Sequence, residues 1–464
     1  PHLAMGKDSG GNRTKHRAAS SSTAASALGD AAAAKPAGFG FGGFSGSRAV
    51  VPGGFDGTAS ASGPDASPAE ADIGSDVEGE VAIHLRRLAK RDAITKTKAL
   101  EAIKEIFASW DPARLEPVIG PWLFAYKKLA LDHSRQVRVQ AAAALGTLAA
   151  RVRKALAPHL KHLMGPWLVA QQDPSPEAAA AARAAFEAAF PPAKQGDVLA
   201  FCSKEVMAHL HEILTAPPAQ LSGSRDPPEE VQERAERATY GALLALAHLV
   251  QQPQCRDAAE EGLRGLAATP GFWKGQLASK AATTRRAAYR LVQVAGSSCP
   301  AIIEEGISSL APLAIGALGD QDPAGHGDLW NMVLGLCEAH PGTWEAAGPK
   351  AMPRLHAFLR AGCHGSSDVS LPALLPLVDM MPPGALGPDP APAADLLDSV
   401  LRGWQSLPLA AAPSVIQANA VAFKECLMYL LLKAAKFAGG GGAEGYQRGL
   451  AERALGGSLS AVIA

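Results

Sequence analysis

The residues best suited to chemistry in this sequence are its cysteines and histidines, and their spacing assembles no recognised catalytic site. Cys363 and His364 are adjacent, and neighbouring side chains rarely face each other, which disfavours a nucleophile–base pair. His209 and His211 lie two residues apart, so on a helix they point to different faces and do not form a ligand pair. C-x-x-C, H-E-x-x-H, P-loop and G-x-S-x-G patterns do not occur. We therefore expect no catalytic residue and no bound metal or other cofactor in this sequence.

A glycine-rich stretch at residues 38–43 matches the G-x-G-x-x-G pattern of dinucleotide-binding loops. That pattern needs a strand before it and a helix after it, and neither is predicted by the flanking Ala, Lys and Ser residues. A short linear motif is the better interpretation, because exposed phenylalanines are costly to leave in water without a partner. The phenylalanines concerned are Phe39, Phe41, Phe44 and Phe55.

Positive charge is the most informative feature of the sequence. Residues 81–161 contain sixteen Lys and Arg against six Asp and Glu, whereas the whole chain has 44 of each. Such a patch would hold a polyanion such as ribosomal RNA through phosphate contacts and counterion release. Charge alone equally allows a solvated face that keeps the protein soluble. The candidate binding residues are Arg86, Arg87, Lys90, Arg91, Lys96, Lys98, Lys127, Lys128, Arg135, Arg138, Arg151, Arg153 and Lys154.

The local structure around residues 90–104 has two possible forms. If a single helix ran through this stretch, four basic residues would share one face. They are Lys90, Arg91, Lys98 and Lys104. Asp92 and Thr95 would instead cap a new helix that begins at this point.

Composition predicts a largely helical protein. The chain has 464 residues, of which 47% are hydrophobic and only 5% aromatic, and alanine is abundant. A net charge of zero excludes a uniformly basic nucleic-acid binder. Six scattered cysteines fit a reducing compartment. The apolar stretch at 426–432 is shorter than the roughly 20 residues of a membrane span. We expect a cytoplasmic or nuclear protein with no membrane partner.

Hydrophobic periodicity divides the chain into a tail and a helical body. Residues 1–74 are rich in Gly, Ala, Ser and Pro and predict a disordered tail. A helical period begins at residue 75, and breaks fall at Asp-Pro or Pro-Pro pairs. The clearest helical segments are 94–110, 121–131, 134–156, 176–190, 198–214, 228–250 and 283–295.

The helices show signs of a repeat. Asp132, followed by a Val-Arg pair and a small-residue face, resembles the turn of a HEAT repeat. Asp173 begins a similar turn 41 residues later, and Asp322 a degenerate third. The fold class predicted is all-α, a HEAT/armadillo-like α-solenoid after the disordered tail. The alternative is an irregular helical bundle.

Aromatic residues are predicted to be structural. Phe186 and Phe190 are four apart, so they share one helix face, and core packing is favoured over a partner contact. Trp122 and Trp167 each follow Gly-Pro, a pattern that indicates a helix start with a packed aromatic side chain.

Several segments carry a resemblance to a known family. The strongest are residues 156–173 (LAPHLKHLMGPWLVAQQD), 184–195 (AAFEAAFPPAKQ) and 200–202, supported by 88–92, 95–100, 131–138, 271–274 and 286–289. They resemble the N-terminal domain of listerins, the RING-type E3 ubiquitin ligases of ribosome-associated quality control. The resemblance covers most of residues 77–382 and is densest from 85 to 202. It implies a HEAT-type helical domain at 75–382, and we expect a helical continuation with a glycine-rich loop at 383–464.

The resemblance implies a function that composition does not show. Listerins are long solenoids that end in a zinc-binding RING, which recruits the E2 and ubiquitin. Their N-terminal domain docks on the large ribosomal subunit beside a nascent-chain-binding quality-control cofactor, so that stalled nascent chains are ubiquitinated for proteasomal degradation. RING cysteines and histidines do not occur in these 464 residues, so we expect an N-terminal fragment or truncated gene model without ligase activity of its own. Zinc is then expected only in the RING. The alternative function is a generic HEAT-repeat scaffold with no ligase role.

Overall fold

The described part of the chain is built from helices. The computed structural model describes residues 79–222, 226–408, 410–439 and 442–463, and every regular element in these ranges is an α-helix or a 3-10 helix. The prediction of an all-α protein is confirmed. The predicted tail at 1–74 lies outside the described residues, as do the glycine-rich stretch at 38–43 and the four phenylalanines near it. The domain boundary at 382 stays a prediction.

The α-helices follow one another through short connections. The first eight are α1 (Gly79–Leu88), α2 (Ala93–Ser109), α3 (Pro112–Leu129), α4 (Arg135–Val152), α5 (Leu160–Ala170), α6 (Pro176–Ala189), α7 (Pro192–Phe201) and α8 (Ser203–Thr215). The next eight are α9 (Pro228–Gln251), α10 (Arg256–Ala268), α11 (Phe272–Leu277), α12 (Ala282–Ser298), α13 (Pro300–Gly316), α14 (His326–Ala339), α15 (Thr343–Ala346) and α16 (Ala351–Arg360). The last are α17 (Ser367–Ser370), α18 (Leu374–Met380), α19 (Pro383–Leu386), α20 (Ala391–Gln405), α21 (Pro413–Leu432), α22 (Ala434–Phe437) and α23 (Ala443–Ile463).

The helices pack in two parallel rows. In one row each helix contacts the next in the order α1, α3, α5, α8, α10, α13, α16 and α20. The second row runs through α2, α4 and α6, and then through α9, α12, α14 and the short pair α17–α18 to α21. Buried apolar side chains between the rows form a core that extends from Val81 to Ala454. Two stacked rows of antiparallel neighbours are the architecture of an α-solenoid, as predicted.

Proline positions explain several helix boundaries. Helices α3, α6, α7 and α9 each begin with a proline at the first helical position, where the missing N–H costs nothing. The predicted helix at 198–214 is interrupted at Cys202, which separates α7 from α8.

The prediction that Gly-Pro-Trp marks a helix start is wrong at both sites. Pro121 lies inside α3 and Pro166 inside α5. The tryptophans that follow, Trp122 and Trp167, are completely buried. An interior proline destabilises a helix by about 3 kcal/mol or more, and we attribute the tolerance to this tertiary burial, which supplies most helix stability in proteins. The packed-aromatic part of the prediction is confirmed.

The predicted repeat turn has a defined hydrogen-bond pattern. Asp132 Oδ1 accepts from the Ser134 amide at 2.8 Å, and Asp173 Oδ1 accepts from the Ser175 amide at 2.7 Å. Arg138 spans the two turns: its Nε and Nη2 donate to the Asp173 carboxylate at 2.7 and 3.1 Å. Its Nη1 donates to the carbonyl of Asp132 at 2.7 Å. One arginine therefore ties one turn to the next.

The same pattern recurs later in the chain. Arg285 donates to the Asp320 carboxylate at 2.8 and 2.6 Å and to the Ser279 carbonyl at 2.9 Å. The turns at Ser279 and Asp320 are again 41 residues apart. The sequence placed the third turn at Asp322, but Asp320 holds the equivalent position, because its carboxylate accepts from the Asp322 amide at 3.0 Å.

Aromatic clusters fill the core beneath these turns. Phe186 and Phe190 are buried against Trp167, with ring centroids 5.4 and 5.9 Å from it. The prediction that these two phenylalanines pack in the core is confirmed. A second cluster joins Phe107 edge-on to Trp122 at 5.3 Å.

Two helical segments are long and apolar enough to cross a membrane by length and composition alone. They are Pro300–Gly319 and Pro413–Leu432. Of the most apolar 18-residue stretch in each, 44% and 22% is buried inside the protein. The second is the helix α21, which exposes Met428 and Leu432 on its surface. Core helices of water-soluble proteins meet the same criterion, and the expectation of no membrane partner stays a prediction.

Candidate docking groove

The thirteen candidate basic residues lie at two opposite edges of the solenoid. The start of α2, the end of α3 and the start of α4 share one edge, and the end of α4 lies at the other. Arg135 and Arg151, near the two ends of α4, are sixteen residues apart, which corresponds to about 24 Å along the helix. The first edge, called here the groove edge, carries Arg86, Arg87, Lys90, Arg91, Lys96, Lys98, Lys127, Lys128, Arg135 and Arg138. The far edge carries Arg151, Arg153 and Lys154.

Three of the thirteen residues have their charged groups engaged inside the protein. Lys96 Nζ donates to Asp132 at 2.6 Å, and its side chain is only 12% exposed. Arg138 is buried against Asp173, as described above. Arg151 Nη2 donates to the carbonyl of Trp110 at 2.6 Å. These three groups connect helices, so we leave them out of the binding surface proposed below.

The linker between α1 and α2 decides between the two predicted local forms. Helix α1 ends at Leu88, and Asp92 caps α2 by accepting from the Thr95 amide at 2.7 Å and the Thr95 hydroxyl at 2.6 Å. These hydrogen bonds lower the pKa of the Asp92 carboxyl. Because the helix is interrupted, Lys90 and Arg91 lie in a turn and not on the face of α2.

A groove of about 620 Å³ opens at this turn. It is bordered by the end of α1, the second half of α3, the middle of α8 and the start of α9. Its basic lining residues are Lys90, Arg91, Lys96, Lys127, Lys128 and Arg234, and its acidic ones are Asp132, Glu212, Asp226 and Glu230. Four of the sequence candidates with exposed side chains therefore meet here: Lys90, Arg91, Lys127 and Lys128.

Ion pairing removes most of the negative charge in the groove. Asp132 is paired with Lys96, and Asp226 lies 2.6 Å from Arg234. Glu230 approaches Arg91 at 3.8 Å in a partly exposed contact that solvent screens. Among the described residues, none of Lys90, Lys127 and Lys128 has a carboxylate within 4 Å. The groove therefore presents three lysines that have no carboxylate partner among the described residues.

An exposed aromatic ring lies beside these lysines. Phe124 is 49% exposed and lines the groove. The Lys128 ammonium lies 4.7 Å from the centre of its ring, close enough for a cation–π contact. A lysine-flanked aromatic ring can stack on a base or cover an apolar side chain while the lysines hold an anion.

A half-buried histidine forms part of the groove wall. Burial and the nearby Lys127 ammonium lower the pKa of His209 to about 4, so its imidazole is neutral near pH 7. Its ring packs against α5 at Gly165, where an added Cβ would lie 2.7 Å from the imidazole Cδ2. Gly165 therefore permits the close approach of α5 and α8.

Sequence reasoning did not identify Phe124 or His209 as part of the site. The signal for Phe124 was present, since a phenylalanine four residues before Lys128 lies on the same face of a helix. His209 and Glu230 come from α8 and α9, at least 80 residues after the end of α3. Only the packing of the two rows brings them to this groove.

The other pair considered for chemistry, Cys363 and His364, lies in a tight turn. Cys363 is buried, which raises the pKa of its thiol to about 12 and keeps it protonated. Cys363 and His364 both have left-handed backbone angles, with φ of 52° and 50°, in a 3-10 turn. Within the described ranges, no group of three His, Cys, Asp or Glu side chains is placed to hold a metal ion.

Comparison with known proteins identifies a family. A family model described as the N-terminal domain of the E3 ubiquitin-protein ligase listerin matches residues 73–381. The mouse E3 ubiquitin-protein ligase listerin is 33% identical over 366 residues, covering 78% of this chain and 21% of the mouse protein. The chicken protein of the same name is 32% identical over 368 residues, with the same coverage. The Drosophila melanogaster protein is 26% identical over 376 residues, covering 76% of this chain and 21% of its own length.

The chain spans about a fifth of the length of the curated relatives it matches. Solved structures are similar only loosely. Kap121p bound to Pho4p shares 12% identity over 84% of this chain and 42% of its own, with a TM-score of 0.33. Importin beta shares 13% identity over 81% of this chain and 60% of its own, with a TM-score of 0.30.

Proposed function

The chain belongs to the listerin family of E3 ubiquitin-protein ligases, and on this basis we propose that it docks such a ligase on the large ribosomal subunit. The observation that carries the proposal is the groove lined by Lys90, Lys127 and Lys128, which lies inside the family-matched region. Ribosomal RNA presents a dense array of phosphates, and lysines without acidic partners bind phosphates with release of counterions.

The proposal includes how this module and the RING of the whole ligase act together. The docked module binds the subunit together with the nascent-chain-binding quality-control cofactor in the cytosol. A zinc-binding RING elsewhere in the ligase recruits the E2 and ubiquitin and marks the stalled nascent chain for proteasomal degradation. The part of this chain in that reaction is positioning, and its residues supply no catalytic group.

The groove suits RNA better than a flat charged surface does. Lysine ammonium groups neutralise phosphates, and the exposed ring of Phe124 offers a stacking surface of the kind that binds an unpaired base. Arg86 and Arg87, on the exposed side of α1, extend the positive surface beyond the groove.

Co-sedimentation with purified large ribosomal subunits tests the proposal. The test variant changes Lys90, Lys127 and Lys128 to Glu in the full chain. Its matched control changes three lysines that are equally exposed and far from the groove in sequence, Lys274, Lys424 and Lys433. Subunits carrying peptidyl-tRNA are compared with and without the cofactor, and with empty subunits, over a salt series.

We expect the groove variant to bind the subunit at least about tenfold more weakly, and the control variant to bind like the unmodified chain. Binding should weaken with salt and be strengthened by the cofactor. If the folded chain binds under no condition, the alternative of a generic HEAT-repeat scaffold without a ligase role takes its place. If both variants bind normally, the ribosome contact lies elsewhere on the surface.

A further inference from the structure

Helix α21 carries a large share of the exposed apolar side chains. Nine large apolar residues are exposed in the described ranges, and four of them lie on this one helix. They are Ile416, Val421, Met428 and Leu432, and the last two are 51% and 77% exposed. Apolar residues exposed singly are ordinary, whereas a group of them on one helix marks an interaction surface.

Three of the four lie on one face of the helix. At about 100° per residue, Val421, Met428 and Leu432 project within roughly 40° of one another. The buried side of α21, which carries Cys426 and Leu430, points the other way. The three exposed side chains form what is called here the outward face of α21.

A further helix in the second row would not cover this face. Tyr429 donates a hydrogen bond to Asp379 of α18, so the side of α21 with Tyr429 faces the preceding helices of the row. Ile416 lies about 140° around the helix from Tyr429, on the side that a further helix would cover. The outward face lies between these two sides, so it needs an occupant of its own.

The outward face also carries two charges of opposite sign. Lys424 and Glu425 follow Val421 by three and four residues. Because consecutive residues of a helix diverge by about 100°, the two charges flank the apolar side chains on opposite sides. Both are exposed, and neither has an oppositely charged group within 4 Å among the described residues. Opposite charges on the two flanks make the face complementary to a second copy of itself.

We propose that two copies of this chain form a dimer through the outward face of α21, with the two helices parallel and related by a twofold axis between them. In that arrangement Met428 lies against Met428 of the second copy, and Val421 and Leu432 likewise meet their counterparts. Lys424 of each copy lies beside Glu425 of the other, which gives two ion pairs at the edges of the apolar contact. An antiparallel pair would instead set lysine beside lysine and glutamate beside glutamate.

The dimer is expected to be weak. Helix α21 has 20 residues and is about 30 Å long, and a single pair of such helices buries less than the roughly 1,200 Å² at which stable interfaces begin. We therefore expect a Kd of about 10–100 µM. The dimer goes beyond the proposed ribosome docking and does not depend on it, because the groove is formed by other helices.

Sedimentation equilibrium of the full chain at about 1–200 µM tests the contact. The chain should change from monomer to dimer over this range. The double variant Val421→Glu, Met428→Glu should associate at least about tenfold more weakly, because it sets like charges against each other at the axis. The matched control, Ile83→Glu with Ile94→Glu, changes two residues that are at least as exposed and should dimerise normally. A chain that stays monomeric, or a dimer that the first variant leaves intact, would overturn the proposal.

Complementary charge variants test the pairing without changing the apolar residues. Lys424→Glu and Glu425→Lys should each weaken self-association about three- to tenfold, since each sets like charges side by side. An equimolar mixture of the two should associate like the unmodified chain, because each variant supplies the charge that the other lacks. Variants that self-associate normally, or a mixture that regains nothing, would show that this face is not the interface.

Disulfide trapping tests the orientation. All six native cysteines are buried, so the thiol introduced by Met428→Cys is the accessible one. With an added oxidant it should link two copies, since the parallel arrangement puts position 428 opposite itself. Ile416→Cys lies on the side that a further helix of the row would cover, and it should link none. Linkage through position 416 and not through 428 would identify that side as the interface and reject the proposed dimer.

Discussion

Two arginines on the same helix have different roles because their side chains differ in burial. Arg135 and Arg138 are three residues apart on α4, and both are candidate binding residues in the sequence. Arg138 has a side chain 7% exposed and pairs with Asp173, which is 4% exposed. Arg135 pairs with Glu177 at 3.3 Å, but both side chains are more than 60% exposed. The first pair connects repeat turns, and the second is a solvated surface contact.

Removing the buried partner should destabilise the solenoid. Changing Arg138 to Ala leaves Asp173 buried without its counterion and removes hydrogen bonds to two turns. We expect a loss of about 3–5 kcal/mol in the free energy of unfolding. Urea unfolding followed by circular dichroism measures it.

Changing Arg135 to Ala is the matched control and should cost less than about 1 kcal/mol. Equal losses for the two variants would show that the link between the turns does not stabilise the fold. A small loss for Arg138→Ala would lead to the same conclusion.

Stability should also depend on pH through His209. Its pKa is about 4 in the folded protein, below its ordinary value near 6.5, so the unfolded chain binds the proton more tightly. The neutral imidazole contributes stability that is complete above pH 6.5 and is lost as the pH falls toward 4. The resulting decrease in the free energy of unfolding is about 3 kcal/mol at most. Urea unfolding at pH 7, 6, 5 and 4.5 measures this decline.

Two glutamine variants isolate the contribution of this histidine. His209→Gln should reduce the decline between pH 6.5 and 4.5. His211→Gln, which removes an exposed imidazole from the same helix, should leave it in place. If both variants keep the same pH profile, other groups cause the acid sensitivity.

At the scale of elements, α3 carries core residues on one face and the proposed binding residues on the other. Trp122 and Tyr126 are completely buried and face the core, while Phe124, Lys127 and Lys128 are exposed at the groove edge. Side chains three or four residues apart share a face of a helix, so the two sets occupy opposite sides. Binding variants of α3 can therefore be made without disturbing the core.

Phenylalanines from two helices test this separation. Phe190 is 4% exposed and packs against Trp167 and Phe186. Phe190→Ala should therefore lower the free energy of unfolding by about 3–5 kcal/mol. Phe124→Ala removes a ring that is 49% exposed and should cost less than about 1 kcal/mol. Thermal unfolding compares the two variants. A nearly unchanged melting temperature for Phe190→Ala would contradict the core assignment.

At the scale of the whole molecule, the two-row stack sorts the basic residues into separate surfaces. The groove gathers residues from α1, α3, α8 and α9, and the far edge holds Arg153 and Lys154 directly after α4. The edges are about 24 Å apart along α4. A rigid partner that contacts the groove need not touch the far edge.

The salt dependence of ribosome binding should distinguish these surfaces. Each phosphate contact contributes about 0.7–0.9 to the slope of log affinity against log salt concentration. Changing Lys90, Lys127 and Lys128 to Ala should therefore lower the slope by roughly 2–3. Changing Arg153 and Lys154 to Ala should leave it unchanged. A lower slope for the second variant alone would place the contact at the far edge.

Much of the fold could be predicted because its signals are local. Prolines at first helical positions, the cap at Asp92 and the turns at Asp132 and Asp173 depend on residues close in sequence. The helical spacing of Phe186 and Phe190 was sufficient to predict their burial. The resemblance to listerins was also a property of the sequence, and the family match confirms it.

Only the tertiary structure decided which charges are available for binding. Lys96, Arg138 and Arg151 form their contacts with groups 35 to 41 residues away, and spacing within one helix cannot reveal such partners. The groove combines α3 with α8 and α9, which are distant in sequence. Local backbone preferences fix where helices begin and end, whereas the burial of a charged group depends on what the rest of the chain packs against it.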